Sequence, residues 1–218
     1  MKVVAQSFSW PFRGDWKASW VPGLVAVLLL PIAFIPLLGY AIAATRQAED
    51  DPASGPPRWA FTRRLVLDGL WTAIAVILFT APFVLLVNPV AAWLFAANLW
   101  HVSDAPVSQL YAHAAAVFVL ALPWGLLLLL HMPHGTARFA HSAMPVDLFD
   151  IPASVRSVRR DFTTWNLAAA AIVTGWAIGL ACVGLLCLGL VAGVFYAILV
   201  SAHASAALHH EGPYSPAG

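Results

Sequence analysis

The chain has 218 residues, 61% of them hydrophobic and only 10% charged, against about 25% charged in soluble domains. A surface this apolar cannot be held in water, so the bilayer must be the solvent, and only helices or a closed barrel can span it. The formal net charge of +1 excludes a global basic field of the kind that binds nucleic acid. The apolar runs are continuous rather than alternating, which selects helices over a barrel.

The chain starts with MKVVAQSFSWPFRGDW, which has no apolar core before Pro11 and does not read as a signal peptide. Five apolar blocks follow, at about 20–44, 65–87, 107–130, 165–183 and 188–208. The first contains LLLPIAFIPLLGY, where Pro31 and Pro36 are expected to break the helix. A hairpin that enters the membrane and returns is the expected form, and one long kinked helix is the alternative. The linker EDDPASGPPRWAFTRR reads as a solvated loop. Block two leads into a Pro- and Trp-containing stretch, 88–100. Beyond block three, VDLFDIPASVRSVRRDF carries Ile151, Val155, Val158 and Phe162 at helical spacing, with Arg156, Arg159 and Arg160 off that stripe. An amphipathic interfacial helix is expected at about 150–162, with Asp150 as its cap. The last run, 165–202, is nearly twice the roughly 20 residues needed to cross. It is expected to be a second helical pair, broken near Gly184–Gly189. The fold class is therefore all-α: a single polytopic helical membrane domain over 1–218, with helical hairpins at both ends.

Lys and Arg cluster in three places. Lys2, Arg13 and Lys17 precede block one; Arg46, Arg58, Arg63 and Arg64 follow it; Arg138, Arg156, Arg159 and Arg160 follow block three. The link between blocks two and three has none, and neither does the tail. Positive loops stay in the cytoplasm, so a hairpin at block one puts all eleven charges and both termini inside. The expected location is the cytoplasmic (inner) membrane. Trp10, Trp16, Trp20, Trp59, Trp100 and Trp165 lie near predicted segment ends, as in an aromatic belt.

Several motifs in order carry a resemblance: FSWPFRGDW, an apolar run closing in GY, RQAEDDPASGPPRW, LVLDGLW, ARFAHSAMPVDLFDIPASVRSVRRDFTTW and FYAILVSAHASAAL. On these the chain resembles the domain of unknown function 4013 family of prokaryotic membrane proteins, from about Phe8 to Leu208. The resemblance implies a small multi-pass helical protein of the cytoplasmic membrane. It implies no activity, substrate or catalytic residue.

Histidines are the residues that could carry chemistry. His113, in YAHAAAV, lies inside block three with alanines beside it. Such an imidazole could be an axial ligand of haem or chlorophyll; bonding to a neighbouring helix is the plainer expectation. His131, His134 and His141 could approach a metal, but Pro133 and Gly135 suggest a turn and no Cys, Asp or Glu sits among them, so no metal site is expected. His203 could face a polar cavity, and His209–His210 read as a solvated tail. Asp68 is expected to pair locally with Arg63 or Arg64. Cys182 and Cys187 read as packing residues. Gly175 and Gly179, and again Gly189 and Gly193, have the spacing that lets helices approach closely, within the chain or against a partner. No Ser-His-Asp order, Walker loop or Rossmann glycine pattern occurs. The expected function is non-enzymatic: an accessory or scaffold subunit among other membrane proteins, or self-associating, in the lipid bilayer. The alternatives are a small transporter using the broken helix, or a pigment- or haem-binding subunit using His113.

Overall fold

The computed structural model describes residues 5–97, 99–101 and 103–210; Lys2 and the side chains of Cys187 and His210 lie outside the described residues. Among them the chain is all-α. The helices are α1 (Trp16–Leu28), α2 (Leu30–Asp50), α3 (Arg63–Ala96), α4 (Ala105–Ser142), α5 (Ile151–Arg160), α6 (Phe162–Ala181) and α7 (Leu186–His210). The helices α3, α4 and α6, and Gly189–His209 of α7, are long and apolar enough to cross a membrane. The protein is a helical membrane bundle. Its first compact unit is Met1–Ala73 with Leu130–Gly218, and its second is Ile74–Leu129.

In the first unit, LLLPIAFIPLLGY becomes the bend of a helical hairpin. The chain leaves helical geometry once, at Leu29 (φ −93°, ψ 26°). Pro31 occupies the first turn of α2, where no N–H is needed, and Pro36 is carried inside α2. The two prolines therefore accompany one break, not two. Proof of the hairpin lies at its open end. Ser19 Oγ and Tyr40 Oη both donate to the Pro57 carbonyl, each at 2.8 Å. On one straight helix those residues would be about 31 Å apart. With 13 residues, α1 rises only about 20 Å, short of a hydrocarbon core of about 30 Å. The tip, Leu28–Ile32, is exposed and apolar.

The N-terminal segment docks at the same open end. Arg13 donates to Pro52 O, and Asp15 pairs with Arg58 at 2.8 Å. Gly14 (φ +58°) and Gly55 (φ +83°) let the two backbones touch: a Cβ on Gly14 would meet Ser54 O, and one on Gly55 would meet Arg13 O.

Helices α6 and α7 form the second pair, joined by a 3-10 turn at Cys182–Leu185, which begins two residues before and overlaps the expected Gly184–Gly189 break. They run antiparallel, with Gly175 against Val200 and Gly179 against Gly193 and Ala197. Gly189 is half-buried. Phe195 of α7 is fully buried and lies on Gly23 of α1, where a Cβ would enter its ring. Trp20 meets that ring edge-on and Tyr40 stacks on it; Tyr40 stacks in turn on Trp59 at 4.3 Å. Trp10, a belt residue by its place in the sequence, is instead buried beside His203. The 3-10 turn Trp10–Phe12 folds it inward.

The loop helix α5 is shorter than the expected 150–162. Asp150 caps it by accepting from Ala153 N at 2.9 Å. It ends at Arg160 because Asp161 caps the next helix, accepting from Thr164 N at 3.1 Å. Phe162 therefore belongs to α6. Ser154 and Val158 face the protein, while Ile151, Arg156, Arg159, Arg160 and Phe162 are exposed.

Apolar blocks two and three continue further than expected. The 88–100 stretch stays helical to Ala96 through Pro89, and HMPHG is not a turn but helix, running on to Ser142. Proline is tolerated in membrane helices where other groups re-satisfy the opened ladder. Trp124 Nε1 of α4 donates to Phe79 O of α3 at 2.8 Å. Ala91, Leu94, Ala112 and Ala116 form a small cluster.

Where α2 crosses α3 there is no room for a methyl group. A Cβ on Gly39 would strike Leu65 O, and one on Gly69 would strike Ile35 O. Gly39→Ala and Gly69→Ala should each cost about 1–3 kcal/mol, read as a lower thermal midpoint in detergent. Gly125→Ala, with nothing within 4 Å, should be neutral or slightly stabilising. The Asp161 carboxyl is held below its ordinary value by its hydrogen bonds to Thr164. A depressed carboxyl stabilises the fold above the unfolded-state value and loses that contribution as pH falls through the folded one. Asp161→Ala should lower the midpoint at pH 7, and the gap should close below about pH 4.

Candidate functional site

The first unit collects its polar side chains where helices end. Asp68, on the first turns of α3, is buried. Its nearest partner is Arg46 of α2, at 3.0 Å, with Arg64 at 3.9 Å. The expected local pair is thus supplemented by a closer one from another helix. Arg46 Nε also donates to Ala140 O in the last turn of α4, at 2.9 Å. This guanidinium joins three helices and satisfies a carbonyl that its own helix leaves open. Beside it is a cavity of about 130 Å³ lined by Tyr40, Arg46, Arg58, Arg64, Leu65 and Asp68.

One turn beyond Arg46, Glu49 is 8% exposed. His141, from the end of α4, and His209, from the end of α7, both direct Nδ1 at its Oε1, at 3.0 and 2.7 Å. The two rings stack with centroids 4.4 Å apart. All three ligand-type atoms lie within 4.8 Å of one another. Glu49 Oε2 is buried without a hydrogen-bond partner. His141 and His209 are 62% and 37% exposed at their side chains, so the group opens outward.

Two further histidines are walled in. His131 bonds Ser154 Oγ and Leu148 O, each at 2.9 Å, on its two ring nitrogens. Arg138 adds donors to Asp147 O, Asp150 O and Ser154 Oγ. This network fastens α5 and the turn before it to α4. His203 bonds Ser7 Oγ at 2.8 Å, and both residues are buried. That bond holds the N-terminal segment on α7. In neither Ser–His pair is the hydroxyl open to a substrate.

His131, His134 and His141, weighed in the sequence as a possible but unexpected metal trio, are not brought together. His131 and His134 are buried, and His141 turns outward to Glu49. His209 is not a free tail residue. In the sequence nothing separates Glu49 from the acidic run it begins with Asp50 and Asp51; in the structure those two neighbours are exposed and Glu49 is buried. His113, in the second unit, is exposed and its Nδ1 bonds Gln109 O of its own helix at 2.9 Å.

A family model described as "Protein of unknown function (DUF4013)" matches residues 23–201. The chain belongs to this family. The matched span covers every helix from the middle of α1 to most of α7, including Arg46, Glu49, Asp68 and His141, and stops short of His203 and His209. No curated protein and no solved structure matches this DUF4013 chain.

Removing one partner of a buried pair costs more than removing both. Arg46→Ala should destabilise the protein by about 2–4 kcal/mol, with Arg64 compensating part of the loss. The double variant Arg46→Ala, Asp68→Ala should recover some of that stability, as a thermal-unfolding cycle in detergent would show.

Proposed function

We propose that this chain is a non-enzymatic accessory or scaffold subunit of a membrane protein complex, seated in the cytoplasmic membrane with both termini inside. Supporting it is the uneven burial of the spans. The apolar windows of α3 and α4 are only 17% and 11% buried, against 61% for α7. Within the second unit, Ala114, Ala121 and Gly125 of α4 are exposed on one face, and Gly125 has open space at its Cβ position. Small residues in a lipid-facing helix admit the close approach of another helix. Those of α6 and α7 are already used by each other. Charge supports this orientation. Arg13, Arg46 and Arg58 lie at the open end of the hairpin and its loop, and Lys and Arg are absent between α3 and α4. A pigment-binding reading has one observation in its favour: His113 Nδ1 is engaged by Gln109 O, the arrangement that orients a ligating imidazole.

The test is site-specific photocrosslinking in native membranes, from Ala121 and Gly125 of α4, with Leu85 of α3 for comparison. A discrete protein adduct at Ala121 and Gly125, including a second copy of the chain, is expected; lipid adducts alone at all three positions would overturn the subunit reading. Ala53→Cys should react only from the cytoplasmic side and Ser103→Cys only from the opposite one. A visible absorption band in the purified protein, lost in His113→Ala, would favour the pigment reading instead.

A further inference from the structure

Glu49 and Asp50 stand in the last turn of α2, where the helix dipole disfavours negative charge. Asp51 follows directly. His141 and His209 come from the last turns of α4 and α7. Three helix C-termini, each with about half a negative charge, thus converge on one point together with a buried carboxylate. The arginines three residues before Glu49 and three before His141 are committed elsewhere. Arg46 serves Asp68 and Ala140 O, and Arg138 serves Asp147 O, Asp150 O and Ser154. Glu49 Oε2, shielded from water, has no hydrogen-bond partner. The local field therefore calls for a cation.

We propose that Glu49, His141 and His209 are the protein ligands of a divalent metal site of the zinc class, bound through Glu49 Oε1 and the two Nδ1 atoms. Two imidazoles and one carboxylate are a borderline-soft donor set that suits zinc and its neighbours rather than calcium or magnesium. In a tetrahedral site with bonds of about 2.0–2.2 Å, ligand atoms stand about 3.3–3.5 Å apart. The present separations of 3.0 and 2.7 Å are hydrogen-bond lengths. Exchanging the Nδ1 protons for a metal ion needs each Glu49–imidazole separation to open by less than 1 Å. The outward exposure of both histidines leaves the fourth position to water, as in open zinc sites. Bound metal would fasten the end of α7 to the ends of α2 and α4 within the first unit.

The test uses the full-length protein in mild detergent, without a polyhistidine tag, stripped with chelator and dialysed. Zinc is titrated calorimetrically, and bound metal is counted by mass spectrometry. One zinc per chain is expected. Glu49→Gln, His141→Ala and His209→Ala should each weaken binding more than about 100-fold, beyond what losing an outer-shell group costs. His113→Ala and His101→Ala should leave it unchanged. Cobalt serves as a probe needing no variant: the wild-type protein should turn it from the pale octahedral spectrum to intense tetrahedral visible bands. An unaltered cobalt spectrum, no saturable zinc binding, or binding that survives both His141→Ala and His209→Ala would overturn the site.

Discussion

The Pro57 carbonyl is the point on which the first unit depends. As a residue of a Pro-Pro pair, Pro57 has no N–H to place in a helix, and its oxygen is free to accept from outside. Ser19 and Tyr40 both donate to it, and only a chain that doubles back between them can do so. Once α1 and α2 are paired in this way, the N-terminal segment and the first loop must share one end. The Asp15–Arg58 ion pair and the mutual contact of Gly14 and Gly55 then follow. The two hydrogen bonds to this carbonyl thereby distinguish a hairpin from one straight helix.

The packing beneath that point is governed by glycine rather than by large side chains. Lipid gives apolar side chains no incentive to leave it, so helices associate through close contact and hydrogen bonds. Gly39 and Gly69 bring α2 and α3 to backbone distance. Gly179 and Gly193 do the same for α6 and α7, and Gly23 receives the Phe195 ring. The aromatic series Trp20, Phe195, Tyr40 and Trp59 fills the space that remains. At the ends, where helical carbonyls have no partner of their own, Arg46 and Arg138 supply donors from neighbouring segments. The same chemistry explains why polar groups gather at helix termini: that is where the backbone has unmet valence and where a charge can reach it.

What could be read from the sequence is what composition and local spacing control. Continuous apolar runs identify a helical membrane protein because no soluble surface can be made of them. The length of the last run requires a pair of helices, because it exceeds one crossing. Asp150 and Pro152 mark the start of α5 because capping is local chemistry. The helix boundaries were less legible: Pro36, Pro89 and Pro133 look like breaks, yet each lies within a helix. A proline removes one donor, and whether that ends a helix depends on what surrounds the opened rung. The apolar stripe runs through Asp161 without a break, yet its side chain caps α6 and divides it from α5.

The sequence by itself determined the solvent, the fold class, the final pair of helices and the family, because each rests on composition, segment length or motif order. Tertiary structure alone decided the partners. Arg46 reaches Asp68 and Ala140, Ser7 reaches His203, and Glu49 receives His141 and His209 from two other helices. The residues in these groups lie far apart in the chain, and no spacing rule links them. Gly175 and Gly179 were visible as a spacing, but the surface they meet was not. The physical reason is the same throughout: periodicity reports which face of a helix is small, apolar or charged, whereas the identity of the neighbour depends on how the hairpins fold back on one another.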